Sequence, residues 1–88
     1  MMPYIKPEDR SKFTELVHAL YDVYKPETPG ELNYALTLVI QSYLSGKKES
    51  YGVYSEVVSA LECCKLEFYR RKVSQLEATK IKENGDVY

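Results

Sequence analysis

Glu56-Val-Val-Ser-Ala-Leu-Glu-Cys-Cys-Lys-Leu-Glu-Phe-Tyr-Arg-Arg71 decides the fold class. At roughly 100° per residue, Tyr54, Val57, Val58, Leu61, Cys64 and Phe68 fall on one side of a helix. Tyr54, Val57, Leu61, Cys64 and Phe68 follow the 3-4 spacing of a seam between packed helices. Lys65 projects into the middle of that side. An ammonium among apolar neighbours needs a reason, because a buried charge without a partner is costly.

The same helix extends over 52–79. Even its last twenty-five residues, at 1.5 Å each, span roughly 38 Å, whereas a compact chain of this size has a diameter of roughly 31 Å. The overhang still carries Val73 and Leu76, so a second subunit is expected to cover it, a homodimer being the simplest closed arrangement. The tail 80–88 follows, with a turn at Asn84-Gly85. Val87 and Tyr88 either dock back on the body or fray.

Upstream, Ser45 to Gly52 reads as a loop, with Gly46 placed as a helix stop. The second helix, 29–44, opens on Thr28-Pro29-Gly30-Glu31. This is a capping box with proline at the first helical position. Thr28 accepts from the Glu31 amide while the Glu31 carboxylate reaches back. Leu32, Ala35, Leu36, Leu38, Val39, Ile40, Tyr43 and Leu44 make this helix apolar around much of its circumference, so it is expected to be central or covered by a partner. Its polar stripe, Asn33, Thr37 and Gln41, carries no charge, which suits an interface or a pocket wall. The first helix, 7–24, starts at Pro7-Glu8-Asp9. It buries Phe13, Leu16, Val17, Leu20 and Tyr24, and leaves Glu15, His18 and Asp22 to water. The whole predicts an all-α fold: a single domain, 1–88, forming a three-helix antiparallel bundle with a long, dimerising C-terminal helix.

Composition agrees with an ordinary soluble domain of 88 residues, 44% apolar and 28% charged. A net charge of −1 gives no bulk attraction to nucleic acid or anionic membrane. The longest uncharged run, 32–46, is too short to span a bilayer, and residues 1–10 hold no apolar leader segment. A cytoplasmic, membrane-free protein is expected. Adjacent Cys63 and Cys64 point about 100° apart, badly placed to bond each other. They are read as reduced thiols with Cys64 in the core. Nine tyrosines and no tryptophan suit half-buried positions or an interface.

Pro29-Gly30-Glu31-Leu32-Asn33-Tyr34, then Ala60-Leu61-Glu62 with Lys65, Glu67-Phe68-Tyr69-Arg70-Arg71, and Lys82-Glu83-Asn84-Gly85-Asp86-Val87-Tyr88 together resemble a group of short uncharacterised proteins of prokaryotes and their phages. The resemblance runs over nearly the full chain. It implies a context in mobile elements and brings no established activity.

The candidate binding residues are Glu31, Asn33, Glu62, Lys65, Tyr69, Arg70 and Arg71. Glu62 lies three residues before Lys65 and Tyr69 four after it, on one flank. Paired with Glu62, the ammonium tolerates partial burial. The structural alternative lays the lysine stem along apolar surface with its head in water. A Glu-Lys-Tyr cluster lining a small polar pocket, with Glu31 or Asn33 from the second helix, is the functional one. Arg70, Arg71 and Lys72 beside Tyr69 would grip phosphate, yet neighbouring acids blunt that field, and a weak nucleic-acid binder is a lesser alternative. The enzymatic rival is a small helical nucleotide pyrophosphohydrolase of the MazG type. Such sites resemble Glu-Glu-x-x-Glu followed by Glu-x-x-Asp. This chain offers Glu31, then Glu56, Glu62 and Glu67 at intervals of 6 and 5, which scatter carboxylates around the cylinder. Magnesium, which needs several converging oxygens, enters only under that alternative; otherwise no cofactor is expected. No catalytic constellation is visible. The expectation is a binding or assembly module, dimeric, holding a protein partner or small ligand near Glu62, Lys65, Tyr69 and Arg71.

Overall fold

In a computed structural model that describes residues 5–88, every regular element is helical. The leader-free reading of the N-terminus lies partly outside the described residues. Three helical stretches are separated by two breaks, and the last is the longest at 34 residues.

The first stretch is a composite. Lys6 is extended (φ −63°, ψ 145°), and Pro7 starts a 3₁₀ segment, Pro7–Phe13, whose first bond runs from the Asp9 amide to the Lys6 carbonyl at 2.9 Å. Proline fits this start because its missing N–H has no helical partner to lose. Ser11 and Thr14 hydroxyls donate back to the carbonyls of Glu8 (3.4 Å) and Ser11 (2.9 Å), serving acceptors in the tight segment. The chain relaxes into α1, Thr14–His18, and then widens into a π stretch, Ala19–Val23. The Tyr24 amide closes that stretch on the Ala19 carbonyl at 2.6 Å. The helix expected over 7–24 therefore ends one residue early and is interrupted twice. Lys25 precedes a proline, which disfavours helical backbone there.

Helix α2, Pro29–Leu44, has the expected bounds and the expected cap: the Glu31 amide donates to Thr28 Oγ1 at 3.1 Å. Glu31 Oε1 accepts from the Glu27 amide at 2.9 Å, so the carboxylate reaches back one residue beyond the cap. At the other end, Ser45 (φ −60°, ψ 128°) and Gly46 (φ 79°) form a type II turn, closed from the Lys47 amide to the Leu44 carbonyl at 3.0 Å. Lys47 Nζ donates to the Tyr43 carbonyl at 2.6 Å and sits 3.8 Å from the centre of the Tyr43 ring, a cation at the negative end of the helix.

Helix α3, Tyr51–Phe68, begins after Ser50, whose Oγ accepts from the Val53 amide at 3.3 Å. A second π stretch, Tyr69–Val73, joins it to α4, Ser74–Asn84. The expected end at Thr79 is too early. Lys80, Ile81, Lys82 and Glu83 are adequate helix formers, Lys80 lies 3.7 Å from Glu83, and the stop is Gly85. Its φ of 86° and ψ of 153° belong to a region only glycine occupies comfortably. The tail shrinks to 85–88, where Asp86 Oδ1 accepts from the Tyr88 amide at 2.9 Å. Val87 and Tyr88 remain fully exposed, so they do not dock.

The chain divides into two compact units, 5–53 and Tyr54–Tyr88. Among the described residues none is buried. The expected core faces are open: Phe13, Leu16 and Leu20 on the first stretch, and Tyr54, Leu61 and Phe68 on the seam, all count as exposed. Cys64, expected in the core, is exposed, while Cys63 beside it is half-buried. The half-buried positions of α3 are Val53, Ser55, Val57, Ser59, Cys63 and Glu67, and of the predicted seam only Val57 is among them. Among the described residues no helix is long and apolar enough to cross a membrane.

Candidate functional site

In Tyr54–Tyr88 several charged side chains pair with one another. Lys65 Nζ lies 3.6 Å from Glu62 Oε1, as their i,i+3 spacing predicts. The lysine side chain is 70% exposed and the glutamate 54% exposed. Lys65 is thus not set among buried neighbours; nothing described here covers its face, so the ammonium keeps its water and the pair contributes little to stability. One turn on, Glu67 gathers two cations on Oε1: Arg70 Nη2 at 2.6 Å and Arg71 Nε. Its side chain is only 25% exposed. Both guanidinium groups sit on the π stretch, at the i+3 and i+4 positions that a helix brings beside one carboxylate.

Tyr69 turns away from Lys65. Its hydroxyl donates to Glu77 Oε1 at 2.9 Å. This hydrogen bond, and then the nearby negative charge, hold the phenol above its ordinary pKa, because the neutral hydroxyl is the form that donates. The expected Glu62-Lys65-Tyr69 cluster therefore resolves into separate contacts, Glu62 with Lys65 and Tyr69 with Glu77. Glu77 was missed by the sequence reading. Eight residues separate it from Tyr69, an interval that no regular helical pattern singles out.

In 5–53, Glu31 serves the α2 cap. The Asn33 carbonyl accepts from Thr37 Oγ1 at 3.0 Å, tying the uncharged stripe together. Around α2, Leu32, Tyr34, Leu38 and Val39 are 46–65% exposed. A hollow of about 690 Å³ lies between the first stretch and α2, lined by Leu16, Leu20, Tyr24, Tyr34 and Leu38, with Lys25 and Glu31 also on its wall. A smaller one of about 340 Å³ is walled by Tyr21, Leu32 and Leu36. Leu20, Ala35 and Val39 line both. Among the described residues no three His, Cys, Asp or Glu side chains gather as metal ligands would.

Fold and site together define a small all-helical protein with open apolar faces and a ridge of self-paired charges. The chain belongs to the family described as Domain of unknown function (DUF6899), which matches residues 2–87. No curated protein and no solved structure matches it.

Proposed function

We propose that this chain is a helical interaction module, working by covering its apolar faces with protein. Within the 54–88 unit, the charged ridge from Glu62 to Glu77 then borders that unit's own apolar face. One observation carries the reading: among the described residues none is buried, although the sequence is 44% apolar. Soluble proteins rarely leave contiguous apolar surface of this kind unused. A charged rim around an apolar centre is the ordinary anatomy of a protein interface. Arg70 and Arg71 share Glu67, which blunts the positive field a nucleic acid would need and favours a protein partner.

The test is to dilute the purified chain to submicromolar concentration and follow an apolar-surface dye together with thermal melting. The expected result is dye binding at low concentration, and a melting temperature that rises with protein or partner concentration. A dilute chain that binds no dye and melts cooperatively at one fixed temperature would overturn the reading.

A further inference from the structure

We infer that Asn84-Gly85 is a self-modifying site, at which the backbone nitrogen of Gly85 attacks the carboxamide of Asn84 and converts it to aspartate and isoaspartate. Asn84 is the last residue of α4 and Gly85 the first beyond it, and both are exposed. Glycine has no side chain to crowd the attacking nitrogen. A Cβ built on Gly85 would meet nothing within 4 Å, so the space around the reacting atoms is open. Ring closure takes the Asn84–Gly85 joint out of helical geometry. That breaks the bond from the Gly85 amide to the Ile81 carbonyl, 2.8 Å, at the end of α4. The following residues hold nothing in place: Gly85 to Tyr88 are exposed, and the Tyr88 amide bonds within the tail, to Asp86 Oδ1 at 2.9 Å. One hydrogen bond at a fraying helix end slows such an opening by about tenfold at most.

The other asparagine of the chain supplies the contrast. Asn33 is exposed too, but it lies inside α2 and is followed by Tyr34, whose Cβ crowds the attacking nitrogen. Closing a ring there breaks α2 within its length, and the Asn33 carbonyl is further held by Thr37 Oγ1 at 3.0 Å. The step at Asn84 balances with water alone. Hydroxide takes the Gly85 amide proton and the nitrogen bonds to Asn84 Cγ. The Cγ–Nδ2 bond breaks, and ammonia leaves with a proton from water, which restores the hydroxide. Water then opens the five-membered imide. Opening at Cγ gives aspartate. Opening at the backbone carbonyl carbon of Asn84 routes the chain through the side chain and gives isoaspartate. Either product sets a new carboxylate at the negative end of α4, where the helix dipole opposes it, and isoaspartate also lengthens the backbone and re-aims 85–88.

The test is to incubate the purified full chain for weeks in mildly alkaline buffer at physiological temperature, and to follow intact mass and peptide maps. Exchange of an –NH2 for an –OH adds one mass unit. The gain is expected at Asn84, as a mixture of aspartate and isoaspartate, with Asn33 unchanged. The rate is expected to rise with hydroxide concentration and to stay within about tenfold of the rate in guanidinium chloride. Gly85→Ala should slow it by about tenfold or more. Asn84→Gln, which would need a six-membered ring, should abolish the gain. A folded chain that gains no mass at Asn84, or gains it only in denaturant, would overturn the site. Equal modification of Asn33 and Asn84 in the folded chain would overturn the role given to the helix end. Gly85→Ala reacting as fast as wild type would overturn attack by the unhindered glycine nitrogen.

Discussion

The hydroxyl of Tyr69 reaches Glu77 Oε1 at 2.9 Å, although eight residues separate them. In an unbroken α-helix eight residues overshoot two full turns by roughly 80°. The π stretch Tyr69–Val73 lies between the two. Its i→i+5 bonds place more residues in each turn, so Glu77 comes back toward the face of Tyr69. The bond holds the phenol above its ordinary value of 10.0, first through the hydrogen bond to Glu77 and then through its charge. A folded-state pKa above the unfolded one means that the contribution is complete below the unfolded pKa, and is lost as pH rises through the folded value. An ultraviolet titration of tyrosinate is expected to show Tyr69 ionising late. That late step should be absent from the titration of Tyr69→Phe and move back toward 10 in Glu77→Gln. A Glu77→Gln titration superimposable on wild type would remove the contact.

Thr28 and Glu31 together close the start of α2. Thr28→Ala is expected to destabilise the protein by about 1 kcal/mol, the usual cost of losing an N-cap hydroxyl. Glu31→Gln keeps an oxygen for the Glu27 amide and should cost less. Urea midpoints measure both. A larger loss in Glu31→Gln than in Thr28→Ala would mean that the carboxylate charge, and not its capping bond, is what the helix uses.

Two glycines are expected to respond with opposite signs. Gly46 holds φ at 79° in the turn after α2, and a Cβ there would meet nothing within 4 Å, so the penalty is backbone strain alone. Gly46→Ala should destabilise by about 1–2 kcal/mol. Gly52 lies in the first turn of α3 without a positive φ, and an added Cβ would meet Ser50 Oγ at an ordinary 3.8 Å. Gly52→Ala should stabilise by about 0.5–1 kcal/mol. Thermal melts at equal protein concentration compare them; the same sign for both would contradict these backbone assignments.

Helix existence was legible wherever local chemistry decides it. Thr28-Pro29-Gly30-Glu31 announces a start, and Gly46 a stop, because caps and turns are satisfied by residues only a few positions apart. Periodicity found the helical stretches and placed α2 to the residue. It could not find the π stretches at Ala19–Val23 and Tyr69–Val73, since a widened turn leaves the apolar pattern almost unchanged over five residues. That blind spot misplaced the site. A regular wheel puts Tyr69 beside Lys65, whereas the wider turn carries it to Glu77; the same wheel places Arg71 correctly over Glu67, an ordinary i,i+4 pair. Burial was the least legible property. A helical wheel identifies an apolar face without saying what covers it, which is why Cys64, expected inside, is exposed, while Lys65 follows the alternative with its head in water beside Glu62.

Lys65 supplies the remaining prediction. With a side chain 70% exposed and a carboxylate at 3.6 Å, its ammonium is solvated, and an exposed i,i+3 pair is worth little. Lys65→Met is therefore expected to change stability by less than about 0.5 kcal/mol, with little difference between low and high salt. Denaturant midpoints at two protein concentrations provide the measurement. The dilute sample reports the lone chain and should show no effect. If a second chain lies over Lys65, the concentrated sample alone should respond: methionine would stabilise by removing a desolvation cost, or destabilise by leaving Glu62 unpaired inside the contact. A large effect that persists on dilution would mean that the lysine is covered by its own chain, contrary to its exposure here.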